Sequence, residues 1–212
     1  MVDIEIFSDV ICPWCFIGKR RLDTVLAGPL GEGVSLRWRP YMLYPNIAPQ
    51  GIDRLEMLKR RYGEQAELGR LPERISEEAA SEGITLRYDL IQRTPNTLAA
   101  HRLLEYAYEF EVQHELAEIL FQAYFCQGLD VGSLEVLADL AAAAGLERAA
   151  VEEFLHSDAL LDSVQQQLAR APELGISGVP GYYLANAFLL PGAQTSEVMA
   201  QILARVKERL AS

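Results

Sequence analysis

Cysteine is scarce in this chain: three in 212 residues, Cys12, Cys15 and Cys126. That is too few, in too long a chain, for a fold held by a disulfide framework. Histidine is equally scarce, with His101, His114 and His156 at no recognisable ligand spacing. Basic residues are outnumbered, 19 Lys and Arg against 30 Asp and Glu, which leaves a formal net charge of −11. A field of that sign repels phosphate, so nucleic acid and anionic membrane are excluded as expected partners. Long apolar runs are missing too. Even Leu134 to Leu146 is broken by Glu135 and Asp139, well short of the ~18 residues of a membrane span. The first residues, Met1-Val2-Asp3-Ile4-Glu5, carry acids where a secretory signal carries bases, and a cytoplasmic location is expected. What remains is abundant apolar material, 50% hydrophobic against 23% charged, enough to bury a core.

Val2 to Ser8 sets β-branched and aromatic residues against Asp3 and Glu5, the pattern of a short strand. Ile17, Leu22 and Leu26 follow at helical spacing, with Pro13 fitting a first turn and Gly28-Pro29 a stop. Val34, Leu36 and Trp38 then alternate with Ser35, Arg37 and Arg39, a second strand running to Pro40. Strand, helix, strand is a βαβ unit with Cys12 and Cys15 at its helix N-terminus. From about Ile52 to Leu174 only helical periods are found. The charged stretches Arg54 to Leu68 and Glu73 to Glu82 read as surface helices. Leu103, Ala107 and Phe110 mark a helix after Pro95-Asn96, and Leu116 to Tyr124 the next, stopped by Gly128. Ser133 caps another, Leu146 to Leu155 forms a fourth, and Pro172 ends or kinks the helix that begins near Asp158. Tyr182-Tyr183-Leu184 and Phe188-Leu189-Leu190 flank Ala185-Asn186-Ala187 as a hairpin, and a last helix runs from Thr195 or Ser196 to Leu210. The expectation is one α/β domain, residues 1–45 and 176–212, interrupted by an all-helical domain at 46–175.

The chemistry is expected at Cys12-Pro13-Trp14-Cys15. A helix N-terminus presents unpaired N–H groups and partial positive charge, which stabilise a thiolate. Cys12, at the first turn, is expected to be the more exposed sulfur, with Cys15 one turn on, close enough to close or resolve a disulfide. Pro13 fixes the start of the helix, and Trp14 offers a flat apolar surface for a polypeptide. Zinc is the competing use of such a pair; it needs two more ligands, for which only Cys126 and the scattered histidines are available. Buried structural thiols are the other alternative. In Gly178-Val179-Pro180, a cis proline would aim the Val179 carbonyl and N–H at an extended substrate strand. Asn96 and His101 are candidates to line a cleft, against the plainer readings of a helix cap and a satisfied helix histidine. Cys126 reads as a packed thiol and Arg54 to Arg61 as a solvated face.

The chain resembles the DsbA family of thioredoxin-fold disulfide oxidoreductases, in particular its FrnE-like branch. The carriers are Phe7-Ser8-Asp9-Val10-Ile11-Cys12-Pro13-Trp14-Cys15-Phe16-Ile17-Gly18-Lys19, Arg39-Pro40-Tyr41-Met42-Leu43-Tyr44-Pro45, Asn96 to Leu103, Ala123-Tyr124-Phe125, and Gly175 to Pro180 with Gly192-Ala193-Gln194. The resemblance implies a thioredoxin fold, βαβ…ββα, with a helical insertion forming a cap over the active-site face. It also implies Cys12 as attacking thiol, Cys15 as resolving thiol and Pro180 as a cis proline facing them. Protein or peptide thiols and disulfides would be the partners, with no resident cofactor or metal and with glutathione as at most a redox partner. Ile6 stands where periplasmic relatives often carry a buried acid, Trp14 replaces their inter-cysteine histidine, and no second C-terminal cysteine pair is present. These departures imply a couple that is not strongly oxidising and has no internal relay. The alternative is a glutathione-dependent isomerase or transferase of the 2-hydroxychromene-2-carboxylate isomerase and kappa class. Those enzymes typically have serine at the position of Cys12 and an Asp-Arg pair at Gln194-Thr195. Gln194 is kept as a candidate ligand-binding residue because its amide can still hydrogen-bond a carboxylate or amine.

Overall fold

The computed structural model describes residues 1–211. Strand β1 (Val2–Ser8) is buried at every position but Asp3, the mark of a central strand covered on both faces. Helix α1 (Pro13–Leu26) starts with Cys12 as N-cap and Pro13 at its first position, and Ala27 closes it by bonding back to Asp23 and Val25. Strand β2 (Val34–Pro40) pairs parallel with β1, and β5 (Gly181–Leu184) pairs antiparallel on the other side. Strand β6 (Phe188–Pro191) completes the hairpin, giving the order β2-β1-β5-β6. The C-terminal helix α9 (Ser196–Ala211) returns along α1. This is the expected βαβ…ββα layout.

Register decides what each face buries. Ile4 and Ile6 share a face with Leu36 and Trp38 of β2 and with Leu184 and Tyr182 of β5. Leu22 of α1 and Met199 and Leu203 of α9 close over that face. The opposite face presents Glu5, Phe7, Arg39 and Tyr183, and is covered by α8 (Leu161–Glu173) through Ala171, with Ile176 beyond it. Between β2 and β5 the chain also forms α2 (Arg54–Tyr62), α3 (Glu73–Ser81), α4 (Leu98–Tyr108), α5 (Gln113–Gln127), α6 (Leu134–Ala143) and α7 (Arg148–His156). The buried residues of α3 to α7 and those on the Ile4–Ile6 face of the sheet form one continuous core, while Phe7 joins Ala171 and Ile176 in a smaller one on the other face. At the junction Phe16 of α1 stacks on Phe121 of α5 at 5.3 Å between centroids, and Trp38 meets the same ring edge-on at 5.9 Å. Each such buried ring contributes roughly 1.5–3 kcal/mol by leaving water, so α5 is fixed against both α1 and the sheet edge.

Several expectations need correction. The middle of the chain does hold strand, Ile52–Asp53 (β3) paired antiparallel with Arg93–Thr94 (β4). Two residues are too few to show a period of two. The helix expected over Arg54 to Leu68 stops at Tyr62, because Gly63 takes a φ of 91° and bonds back to Lys59. Phe110 lies beyond the end of α4, exposed, with its ring 4.9 Å from that of Tyr106. The expectation for Pro172 holds: it sits inside the last turn of α8, which ends one residue later.

Candidate functional site

The site lies where β1, α1 and the segment before β5 meet. Cys12 N donates to Asp9 O at 2.9 Å, closing the turn that joins β1 to α1. Cys12 is the N-cap, so its side chain stands where a capping Ser or Asp would bond the first-turn N–H groups; no side-chain capping bond forms. Its sulfur therefore sits at the positive end of α1. Cys12 Sγ donates to the Val179 carbonyl at 3.6 Å. The Val179–Pro180 bond is cis, as expected, and Pro180 O accepts from Gly192 N at 2.8 Å, which ties the segment to the end of β6.

Both thiols are free. Cys12 is, as expected, the more exposed of the two, 4% against 1% for Cys15, but both are buried, and the Val179 carbonyl lies against the Cys12 sulfur. Burial first, then the neighbouring Cys12, pushes the Cys15 thiol well above its ordinary 9.0, while Ser8 and the Asp9 N–H pull weakly the other way. Cys15 thus holds its proton at neutral pH. Trp14 is half-buried, and the Arg74 guanidinium of α3 lies 5.4 Å from the centre of one of its faces. Tyr182 is fully enclosed below Cys12 and Cys15, and burial pushes its phenol well above its ordinary 10.0.

Of the other predicted residues, His101 comes closest to this centre. It is 3% exposed; its Nε2 lies 3.0 Å from Tyr41 O and 3.6 Å from Asp9 Oδ1. Asp9 Oδ2 accepts from Leu43 N at 2.7 Å, so Asp9 and His101 together hold the Tyr41–Leu43 segment beside the cysteine turn. Asn96 is not brought to the sulfurs. Thr97, not Asn96, is the N-cap of α4; Asn96 Oδ1 accepts from Leu98 N, the first N–H of that helix, at 2.9 Å, and its Nδ2 donates to Ile47 O at 2.6 Å. It thereby props the wall of a cleft of about 450 Å³ lined by Leu43, Tyr44 and Ile47 among others. Gln194 spends its Nε2 on Pro191 O, 2.7 Å away in the preceding turn. Cys126 is half-buried near the end of α5, and burial raises its pKa against the pull of Arg20.

Sequence reasoning passed over Arg74 and took Arg54 as part of a solvated face. Arg54 instead stacks on Tyr88 at 5.0 Å and donates to Tyr124 Oη at 3.5 Å. Neither arginine carries a local signal, since the ring it covers belongs to a distant part of the chain. The available chemistry is that of two adjacent thiols, one at a helix terminus beside a backbone edge and one buried behind it.

The fold is shared with known proteins. The solved structure of a probable DsbA oxidoreductase, SCO1869 from Streptomyces coelicolor, superposes with a TM-score of 0.83 at 31% identity, over 97% of this chain and 89% of that one. The Bacillus subtilis (strain 168) protein YwbO is 27% identical over 203 residues, 95% of this chain and 96% of its own. A 2-hydroxychromene-2-carboxylate isomerase shares the fold at TM-score 0.70 and 18% identity, over 99% and 98% of the two chains. Residues 3–204 match the DSBA-like thioredoxin domain, and the chain belongs to that family.

Proposed function

We propose that the protein is a thiol–disulfide oxidoreductase that exchanges disulfides with protein or peptide substrates through Cys12 and Cys15. The observation that carries this reading is the placement of the Cys12 sulfur at the N-terminus of α1, 3.6 Å from the Val179 carbonyl, with protonated Cys15 buried behind it. The Cys12 thiolate attacks a substrate disulfide, and the helix terminus stabilises the charge on sulfur during the exchange. One substrate sulfur becomes bonded to Cys12 and the other leaves as a thiolate. Cys15 then gives up its proton and attacks the Cys12 sulfur, which closes the Cys12–Cys15 disulfide and frees the second substrate thiol. The reverse sequence oxidises a substrate dithiol. The Val179 N–H and C=O offer an edge to an extended substrate strand. The paired thiols support this reading over the glutathione-dependent isomerase, which has no use for Cys15.

The test removes the resolving thiol. A Cys15→Ser variant mixed with a peptide disulfide should accumulate a mixed disulfide on Cys12, visible by mass spectrometry and reversed by dithiothreitol. A Cys12→Ser variant should form no adduct at Cys15. If Cys15→Ser traps nothing while Cys12 stays reactive to alkylation after unfolding, the reading fails.

A further inference from the structure

Arg74 is the second residue of α3, where the helix dipole disfavours a cation. α3 lies against α1, and Arg74, Glu78 and Glu82 recur on its facing side at intervals of four. Arg21 of α1 takes both carboxylates, with Glu78 bonded to its Nη2 and Glu82 Oε1 2.8 Å from its Nε. The acid one turn from Arg74 is therefore already engaged. Among the described residues no carboxylate comes within ion-pairing distance of Arg74, although Glu73 and Glu77 lie exposed on the same helix. Its guanidinium rests instead on the Trp14 face, 5.4 Å from the ring centre, directly beside the cysteines. A cation held over a ring face keeps its N–H groups unspent, the fork that a carboxylate fits.

We infer that Arg74 selects substrates with a carboxylate next to the exchanging sulfur, that is, cysteines flanked by Asp or Glu in a polypeptide. This assignment rests on the thiol–disulfide reading above. The exchange is unchanged in its balance: Cys12 bonds to the substrate sulfur, the leaving thiolate takes the electron pair, and Cys15 closes the disulfide as the peptide thiol departs. Arg74 contributes only to where the peptide sits. The local cation runs against the whole-molecule charge of −11, which by itself favours basic peptides, so the two predict opposite preferences.

The experiment compares three peptides of one sequence whose single cysteine, disulfide-linked to mercaptoethanol, is flanked by Glu, Gln or Lys. Release of peptide thiol by the reduced protein is measured and divided by the rate with dithiothreitol, which removes the effect of flanking charge on intrinsic reactivity. The Glu peptide should react about fivefold faster than the Lys peptide at low salt, and the ratio should shrink at high salt. Arg74→Glu should invert the ratio, whereas Arg74→Lys should keep its sense at reduced size. Equal rates for the Glu and Lys peptides, or a ratio that survives Arg74→Glu, overturns the assignment. Glutathione disulfide distinguishes the source of the carboxylate: dependence on Arg74 for glutathione and not for the Glu peptide also overturns it. Hydroxyethyl disulfide, which is uncharged, checks the wild-type dithiol separately; if it is not reduced, the underlying redox reading is what fails.

Discussion

Gly18 shows how one residue positions the Cys12 end of α1. A Cβ built there meets the Tyr182 hydroxyl below normal contact distance, with Pro180 Cγ at 3.2 Å and Ala193 Cβ at 3.5 Å. α1 can lie against Pro180 only because that carbon is absent. Gly18→Ala should cost about 1–3 kcal/mol of stability through overpacking, measured by urea denaturation. The Tyr182 hydroxyl has no hydrogen-bond partner among the described residues, so Tyr182→Phe removes the obstruction at little cost. The double variant Gly18→Ala, Tyr182→Phe should recover part of the loss; a double variant no better than Gly18→Ala would show that the backbone, and not the hydroxyl, sets the limit.

Among the elements, α8 matters because the chain leaves it for Val179 and Pro180. It is tied to β1 by a charge cluster: Arg170 Nη1 lies 2.8 Å from Glu5 Oε1, Arg39 of β2 bonds the same carboxylate, and Arg39 Nη1 donates to Gln167 Oε1 at 3.0 Å. Burial works against ionisation of Glu5, but Arg170 and Arg39 outweigh it and hold the carboxyl below its ordinary 4.5. The unfolded chain therefore takes up this proton first as the pH falls. Stability from the cluster is present above about pH 4.5 and is lost as the pH falls through the lower, folded value. Arg170 is one-third exposed and Arg39 remains, so Arg170→Gln should cost about 1–2 kcal/mol at pH 7. That deficit should shrink as the pH falls below about 4.5 and Glu5 takes up its proton; a deficit unchanged through the acid range would deny the ion pair its role.

At the scale of the whole molecule, Cys15, Tyr88, Tyr124 and Tyr182 are buried groups whose pKa values burial raises. Each keeps its proton in the fold, while the unfolded chain ionises near 9.0 for the thiol and 10.0 for the phenols. Their contribution is complete below those values and declines as the pH rises toward the folded ones. The urea midpoint of the reduced protein should fall from about pH 9 and more steeply above 10, and a flat profile to pH 11 would contradict their burial.

How much of this could be read from the chain follows from the range of each interaction. The βαβ start, the hairpin and the cysteine turn rest on alternation, caps and a proline within a few residues, and all were legible. The Asp9–Leu43–His101 cluster, Arg74 on Trp14 and Glu5 under Arg170 join distant segments, and neither periodicity nor spacing announces them. The place of Asn96 at the start of α4 was legible because Leu98, its partner, is two residues away, although the N-cap itself is Thr97. The burial of Cys12 was not, since Val179, which covers it, comes from the other end of the chain.

The two tryptophans fall on opposite sides of that divide. Trp38 is 3% exposed, its indole N–H bonded to His114 Nδ1 at 3.1 Å and its ring against Phe121, on strand β2 and not on the cysteine helix. Trp14 is half-buried between the two cysteines. Sulfur oxidation changes the quenching of an adjacent indole and leaves a distant one alone. Under the proposed function the molecule carries a built-in optical gauge: the change in emission between the reduced and oxidised forms of the cysteine pair should originate chiefly at Trp14, which lies between the two cysteines in the chain. Titrating that signal against a redox buffer should give the potential of the proposed Cys12–Cys15 couple without any added label.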